Sequence, residues 1–163
     1  MIDLELALQA LHRAGVEFII VGGVAATIHG SARLTQDLDI VYARTPESVA
    51  RLAAALTPYS PYLRGAPPGL PFRWDAGTIR RGLNFTLTTT LGDLDLLGEI
   101  VGGGGYADLL PHSQVVEVSG VEYRCLSLAR LIHVKRAAGR PKDFEAIAEL
   151  EALREEPRDR GTA

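Results

Sequence analysis

The chain has 163 residues, of which 47% are hydrophobic and 23% charged, with a formal net charge of -3. That length supports one domain able to bury a core without staples, and the composition is ordinary for a globular protein. The mildly acidic balance excludes wholesale coating of nucleic acid, while leaving room for a local basic strip.

Asp3 is placed to cap a first helix in which Leu4, Leu8 and Leu11 recur at helical spacing up to Gly15. Phe18 to Val21 is a short continuous apolar run and reads as a strand buried on both faces. Gly22 and Gly23 open a helix of small residues over Val24 to His29, closed by Gly30. Ser31 to Gln36 forms a polar connector, and Asp37 to Tyr42 alternates as a second strand. Thr45 and Pro46 supply an N-cap and a first-turn proline for a helix reaching Leu56.

Residues 58–71 hold five prolines, with Gly65 and Gly69 among them, and read as a loop; a loop that long in a small domain is more often functional than incidental. Strands are expected over Leu83 to Thr89 and Asp93 to Leu97, with Gly92 at the turn. The glycine run 102–105 reads as a flexible connector, followed by a helical turn from Tyr106 to Leu110. Val115 to Val118 and Val121 to Cys125 flank Ser119-Gly120, a two-residue hairpin signal. Ser127 caps a helix with Leu128, Leu131, Ile132 and Lys135 at helical spacing. Arg140-Pro141 restarts a last helix, with Phe144, Ile147, Ala148 and Leu150 as its apolar stripe. One domain over 1–155 and a charged tail over 156–163 are the expected organisation.

Cys125 is the only cysteine, which excludes an internal disulfide or a cysteine zinc cluster; its apolar strand setting reads as a small buried hydrophobe. His12, His29, His112 and His133 lack ligand-like spacing. Trp74 reads as packing, and Arg80-Arg81 as a solvated turn. Asp3 and Glu5 break any signal-peptide pattern and no apolar run is long enough to span a membrane, so a cytoplasmic setting is expected.

The chemistry concentrates at residues 22–39. A glycine pair at a helix start offers free N–H groups to phosphate. Asp37 and Asp39 share one strand face, where like charges invite a divalent cation. Metal-assisted phosphoryl transfer calls for a further acidic ligand. In Gly92-Asp93-Leu94-Asp95, both carboxylates share a face, and Asp95 is the one set among apolar neighbours. A strand-end carboxylate exposed to water explains Asp95 equally well. Gly22-Gly23 alone could be a plain strand-to-helix turn.

Gly22-Gly23, Asp37-x-Asp39 and Asp95 together resemble the DNA polymerase β-like nucleotidyltransferase superfamily. More narrowly, Gly22-Gly23-x-Ala25-x5-Ser31-x-Arg33-x-Thr35-x-Asp37-Leu38-Asp39 is similar to a small bacterial group related to AbiEii-type toxins, and Lys135-Arg-Ala-Ala-Gly-Arg140-Pro-Lys-Asp143 resembles that group's later motif. The resemblance implies an α+β fold: a mixed sheet flanked by helices, with C-terminal helices. It implies that Asp37, Asp39 and Asp95 hold two Mg²⁺ ions, with Mn²⁺ as a substitute. Gly22, Gly23, Ser31, Arg33, Thr35 and Lys135 would bind a nucleoside triphosphate, with Arg140 and Asp143 nearby. The implied reaction moves a nucleoside monophosphate onto a tRNA, protein or small-molecule hydroxyl and releases pyrophosphate. Many members carry Gly-Ser where this chain has Gly-Gly, so Ser31 or Thr35 is the candidate replacement hydroxyl.

Other readings stand beside these. Lys135 and Arg136 at a helix end complement its dipole, Asp143 fits a capping or pairing role, and Arg33 fits a structural pairing. A nucleotide- or partner-binding module with little catalysis, or a member of a toxin–antitoxin pair, would keep the same fold.

Overall fold

Apolar runs set the strands. Phe18–Val21 (β1) is buried throughout, and Ile19 and Ile20 lose all exposure; complete burial of such a side chain is worth about 1.5–3 kcal/mol. The computed structural model describes residues 1–156. It continues with Asp37–Tyr42 (β2), Tyr62–Leu63 (β3), Phe85–Thr89 (β4), Gly92–Leu97 (β5), Glu99–Ile100 (β6), Gly104–Gly105 (β7), Ser113–Val118 (β8) and Val121–Leu126 (β9). Seven strands form one sheet in the order β3-β4-β5-β2-β1-β9-β8, and β6 pairs with β7 separately. The sheet is mixed: β1 runs parallel to β9 and β2 parallel to β5, while the other neighbours are antiparallel.

Helices flank this sheet. They are Leu4–Arg13 (α1), Gly22–Ile28 (α2), Pro46–Leu56 (α3), Ala76–Arg81 (α4), Tyr106–Leu109 (α5), Leu128–Ala138 (α6) and Asp143–Glu155 (α7). Side-chain caps start four of them: Asp3 accepts from Leu6 N–H, Thr45 from Ser48, Asp75 from Thr78 and Ser127 from Arg130. Each such cap contributes about 1 kcal/mol. α1 packs on α3 and α3 on α4, whereas α2 packs on α6 and α6 on α7. The architecture is α+β with two C-terminal helices, as the sequence implied.

Several expectations need correction. The proline-rich segment is not a plain loop, because Tyr62 and Leu63 pair with Thr88 and Leu87 as the edge strand β3. α4 was not foreseen, although Asp75 caps it. β4 begins at Phe85, not Leu83. The glycine run is no free connector: it turns the β6–β7 hairpin, where Gly102 lies close against Ala137 of α6. α7 starts at Asp143, after Pro141; Phe144 and Ala148 are exposed, and Ala146, Ile147 and Leu150 form the buried side. The tail expected over 156–163 lies outside the described residues, Glu156 excepted.

Candidate active site

Register builds the acidic face. Asp37 pairs with Asp93 and Asp39 with Asp95 across the parallel β2–β5 ladder, so four carboxylates share one side of the sheet. Their ends are not equivalent. Asp37, Asp39 and Asp95 each bring a ligand oxygen within 4.8 Å of the others. Asp93 instead takes a hydrogen bond from the Thr88 hydroxyl at 3.3 Å. Geometry thus selects Asp95 over Asp93.

Asp39 is the electrostatic focus. Burial, the neighbouring Asp95 charge and hydrogen bond, and Asp37 push its carboxyl up from 3.8 to about 7, with Arg64 working in the opposite sense. Its Oδ1 is buried without a hydrogen-bond partner. An orphaned carboxylate oxygen within an all-oxygen, like-charged trio suits a hard divalent cation such as Mg²⁺.

Two glycines make room at this site, one for Asp39 and one for Thr35. Gly22 has φ 65°, the left-handed region, and a Cβ there would fall on Asp39 Oδ2. A Cβ on Gly23 would sit 2.8 Å from Thr35 Oγ1, so the Thr35 side chain occupies the space that a larger residue 23 would need. Thr35 donates its hydroxyl proton to Asp37 O at 3.0 Å. α2 begins without a side-chain cap, as Val21 precedes it.

Beside the trio lies a cleft of about 370 Å³ bounded by Gly22, Asp39, Lys135 and Arg140. Its remaining walls are largely apolar, with Leu97, Ile100, Leu131 and Val134 among them. Buried Asp143 braces both cations: it accepts from Arg140 at 2.8 Å and lies 3.8 Å from Lys135 Nζ. The Arg140 hydrogen bond, reinforced by the positive charges around it, holds the Asp143 carboxyl below its ordinary value. Sequence positions 22, 39, 135, 140 and 143 therefore converge at or behind one cleft.

Ser31 and Arg33 are directed elsewhere. Ser31 donates to Glu149 of α7 at 2.5 Å, and Arg33 forms ion pairs with Glu145 and Glu149 at 3.6 and 3.8 Å. Together with Gly23, Thr35 and Lys135 they line a second, smaller cleft of about 150 Å³.

The residue absent from the sequence reading is Arg64. Its guanidinium lies 2.8 Å from Asp95, 3.3 Å from Asp93 and 3.6 Å from Asp37. The Nε contact with Asp93 is an ion pair only, since it lacks hydrogen-bond alignment. A faint signal existed: Arg64 is the sole basic residue between Arg51 and Arg73, and four clustered carboxylates require positive charge.

No family model matches the chain, and no curated protein matches it. A solved structure of a "putative nucleotidyltransferase" from Thermotoga maritima is similar to it, with 16% sequence identity and a TM-score of 0.57. The likeness covers 93% of this chain and 96% of that one. At such identity it is a likeness of fold: the chain shares the overall architecture of that protein.

Proposed function

We propose that this chain is a metal-dependent nucleotidyltransferase that moves a nucleoside monophosphate from a triphosphate onto an acceptor hydroxyl. The observation that carries this reading is the convergence of Asp37, Asp39 and Asp95 within 4.8 Å, with Asp39 on the wall of a cleft that also presents Gly22, Lys135 and Arg140. Those carboxylates would hold two Mg²⁺ ions, or Mn²⁺ in their place. Metal bound there would supply the positive charge that offsets phosphate oxygens and favours ionisation of the attacking hydroxyl.

The chain's own residues supply the rest. Backbone N–H groups at Gly22 and Gly23 meet the triphosphate, and Lys135 and Arg140 balance its charge while Asp143 fixes their direction. Thr35 provides the hydroxyl beside Gly23, Ser31 and Arg33 brace the connector against α7, and Asp95 faces the acceptor. The apolar walls exclude water, which strengthens each of these interactions. The acceptor hydroxyl gives its proton to the Asp95 carboxylate side of the site or to water, its oxygen bonds to the α-phosphorus as the bond to the bridging oxygen breaks, and pyrophosphate leaves. The closer kinship to AbiEii-type proteins, with a tRNA, protein or small-molecule acceptor, belongs to the same proposal. Among the described residues no helix is long and apolar enough to cross a membrane.

The test is transfer of label from an α-phosphate-labelled triphosphate to total tRNA, to the protein itself or to small hydroxyl compounds, in Mg²⁺. Asp37→Asn should lower the rate by at least about a thousandfold while the fold stays intact. Full transfer by that variant would remove Asp37 from the mechanism. The Arg64 ion pairs favour a second reading, a nucleotide-binding module with weak turnover; calorimetric binding without any labelled product would establish it.

A further inference from the structure

Arg64 brings a cation to the very oxygens that would hold a metal. Its backbone N–H is anchored on Thr86 O at 3.0 Å, and Thr86 pairs with Asp95, which pairs with Asp39. From the end of β3 the side chain therefore crosses β4 to reach β5 and β2. Its Nη2 donates to Asp95 Oδ1 and to Leu87 O, both at 2.8 Å, and Nη1 lies 3.6 Å from Asp37. Two of the three proposed ligands are thus already engaged by a monovalent cation.

We infer that Arg64 is an exchangeable internal counter-ion: its guanidinium and a divalent cation compete for Asp95 and Asp37, and cation binding expels the side chain and releases the segment that follows it. Both charges cannot crowd the same oxygens without strong repulsion, and the divalent ion is the stronger partner. The segment is built for release. Tyr62 donates to Pro67 O and accepts from Leu70 N–H at 3.3 Å, Ala66 N–H bonds Leu63 O, and Phe72 N–H bonds Leu70 O. Among the described residues, the hydrogen bonds of residues 65–72 thus stay within 62–72. Phe72 packs on the core at the far end of the segment, whereas Gly65 and Gly69 face open space, so the Arg64 side chain is what ties the near end of this flap to the acidic face.

This inference rests on the cation-holding half of the proposed function, and its test uses the full-length protein without nucleotide. Mn²⁺ is titrated by calorimetry into wild type, Arg64→Gln and Arg64→Lys, with folding checked by circular dichroism. Loss of the competing charge-assisted bonds should tighten Mn²⁺ binding to Arg64→Gln by at least about tenfold. Arg64→Lys should fall between the two, as it keeps the charge but loses the fork. Trypsin cleavage after Arg64 of the wild type should quicken several-fold when Mn²⁺ is added, roughly in proportion to the released population. Equal or weaker Mn²⁺ binding by folded Arg64→Gln, or cleavage unchanged by Mn²⁺ at saturation, would overturn the counter-ion role. Absence of Mn²⁺ binding in wild type and both variants would overturn it together with the metal reading. Absence of nucleotide transfer alongside tighter binding in Arg64→Gln would sink only the transferase reading.

Discussion

Asp39 is held in place by what its neighbours lack. Gly22, at φ 65°, has no Cβ to collide with Asp39 Oδ2, and any L side chain there would also meet the left-handed backbone penalty of about 1 kcal/mol. Gly23 lies beside Thr35 in the same manner, with the missing Cβ 2.8 Å from Oγ1 and 3.0 Å from Cβ of that threonine. The glycine pair and Thr35 are therefore one steric unit, and a serine at residue 23 and a threonine at residue 35 are alternatives for the same space. Gly23→Ser should destabilise the protein by about 1–3 kcal/mol through overpacking. Combining it with Thr35→Gly, which removes both close atoms, should recover most of that loss. Urea unfolding of the two single variants and the double variant measures the coupling. Additive losses would show that the two positions do not share space.

At the scale of elements, α6 and the start of α7 form a clamp closed by Asp143. Its carboxylate is buried, and the Arg140 hydrogen bond holds its pKa below the ordinary 3.8. The unfolded chain then binds more protons than the native one at acidic pH, so the group's contribution is present above about pH 4. That contribution disappears as pH falls through the depressed native value. Asp39 acts with opposite sign: its value of about 7 means that native protein takes up a proton between 7 and 3.8 on acidification. Comparing wild type with Asp143→Asn at each pH cancels that term. Wild type should be the more stable at neutral pH, and the two stability curves should converge toward pH 2 or so. A constant gap across the titration would mean that Asp143 ionisation does not brace the clamp. The clamp is partly legible in the sequence: Lys135 stands out as one of two lysines, while Arg140 and Asp143 enter only through the resemblance of the 135–143 segment to a family motif. The stripe on α7 was misread because Asp143, not Phe144, turns inward to meet Lys135 and Arg140, which rotates the helix and leaves Phe144 in solvent. β3 and Arg64 were hidden for a different reason. A two-residue strand among prolines has no period to detect, and the partners of Arg64 lie 23 to 31 residues away, brought close only by sheet register.

For the whole molecule, chain order and sheet order are interleaved. β1, near the N-terminus, sits between β2 and β9, whose residues Arg124 and Cys125 pair with Ile19 and Ile20. The alternating strands and apolar runs foretold most of these elements, but no local pattern specifies that a strand joins one a hundred residues away. The β1–β9 ladder joins the β8–β9 hairpin to the five sheet strands that precede it in the chain, and on that basis we propose that residues 1–155 form one folding unit. Two natural probes sit at separated places in the sheet. Trp74 donates to Ala53 O at 3.1 Å and meets Phe85 of β4 edge-on, whereas Cys125 lies fully buried in β9, where burial pushes its thiol up to about 12. The native thiol should resist alkylation, because the reactive thiolate is suppressed and enclosed. Under increasing denaturant, Trp74 fluorescence and Cys125 labelling should report the same midpoint if β4 and β9 belong to one cooperative unit. Labelling of Cys125 at a clearly lower denaturant concentration than the Trp74 transition would instead show that β8, β9 and α6 detach first. The parallel β1–β9 ladder would then be the weak seam of the sheet, and the cleft it supports beneath Lys135 would open before the acidic face is lost.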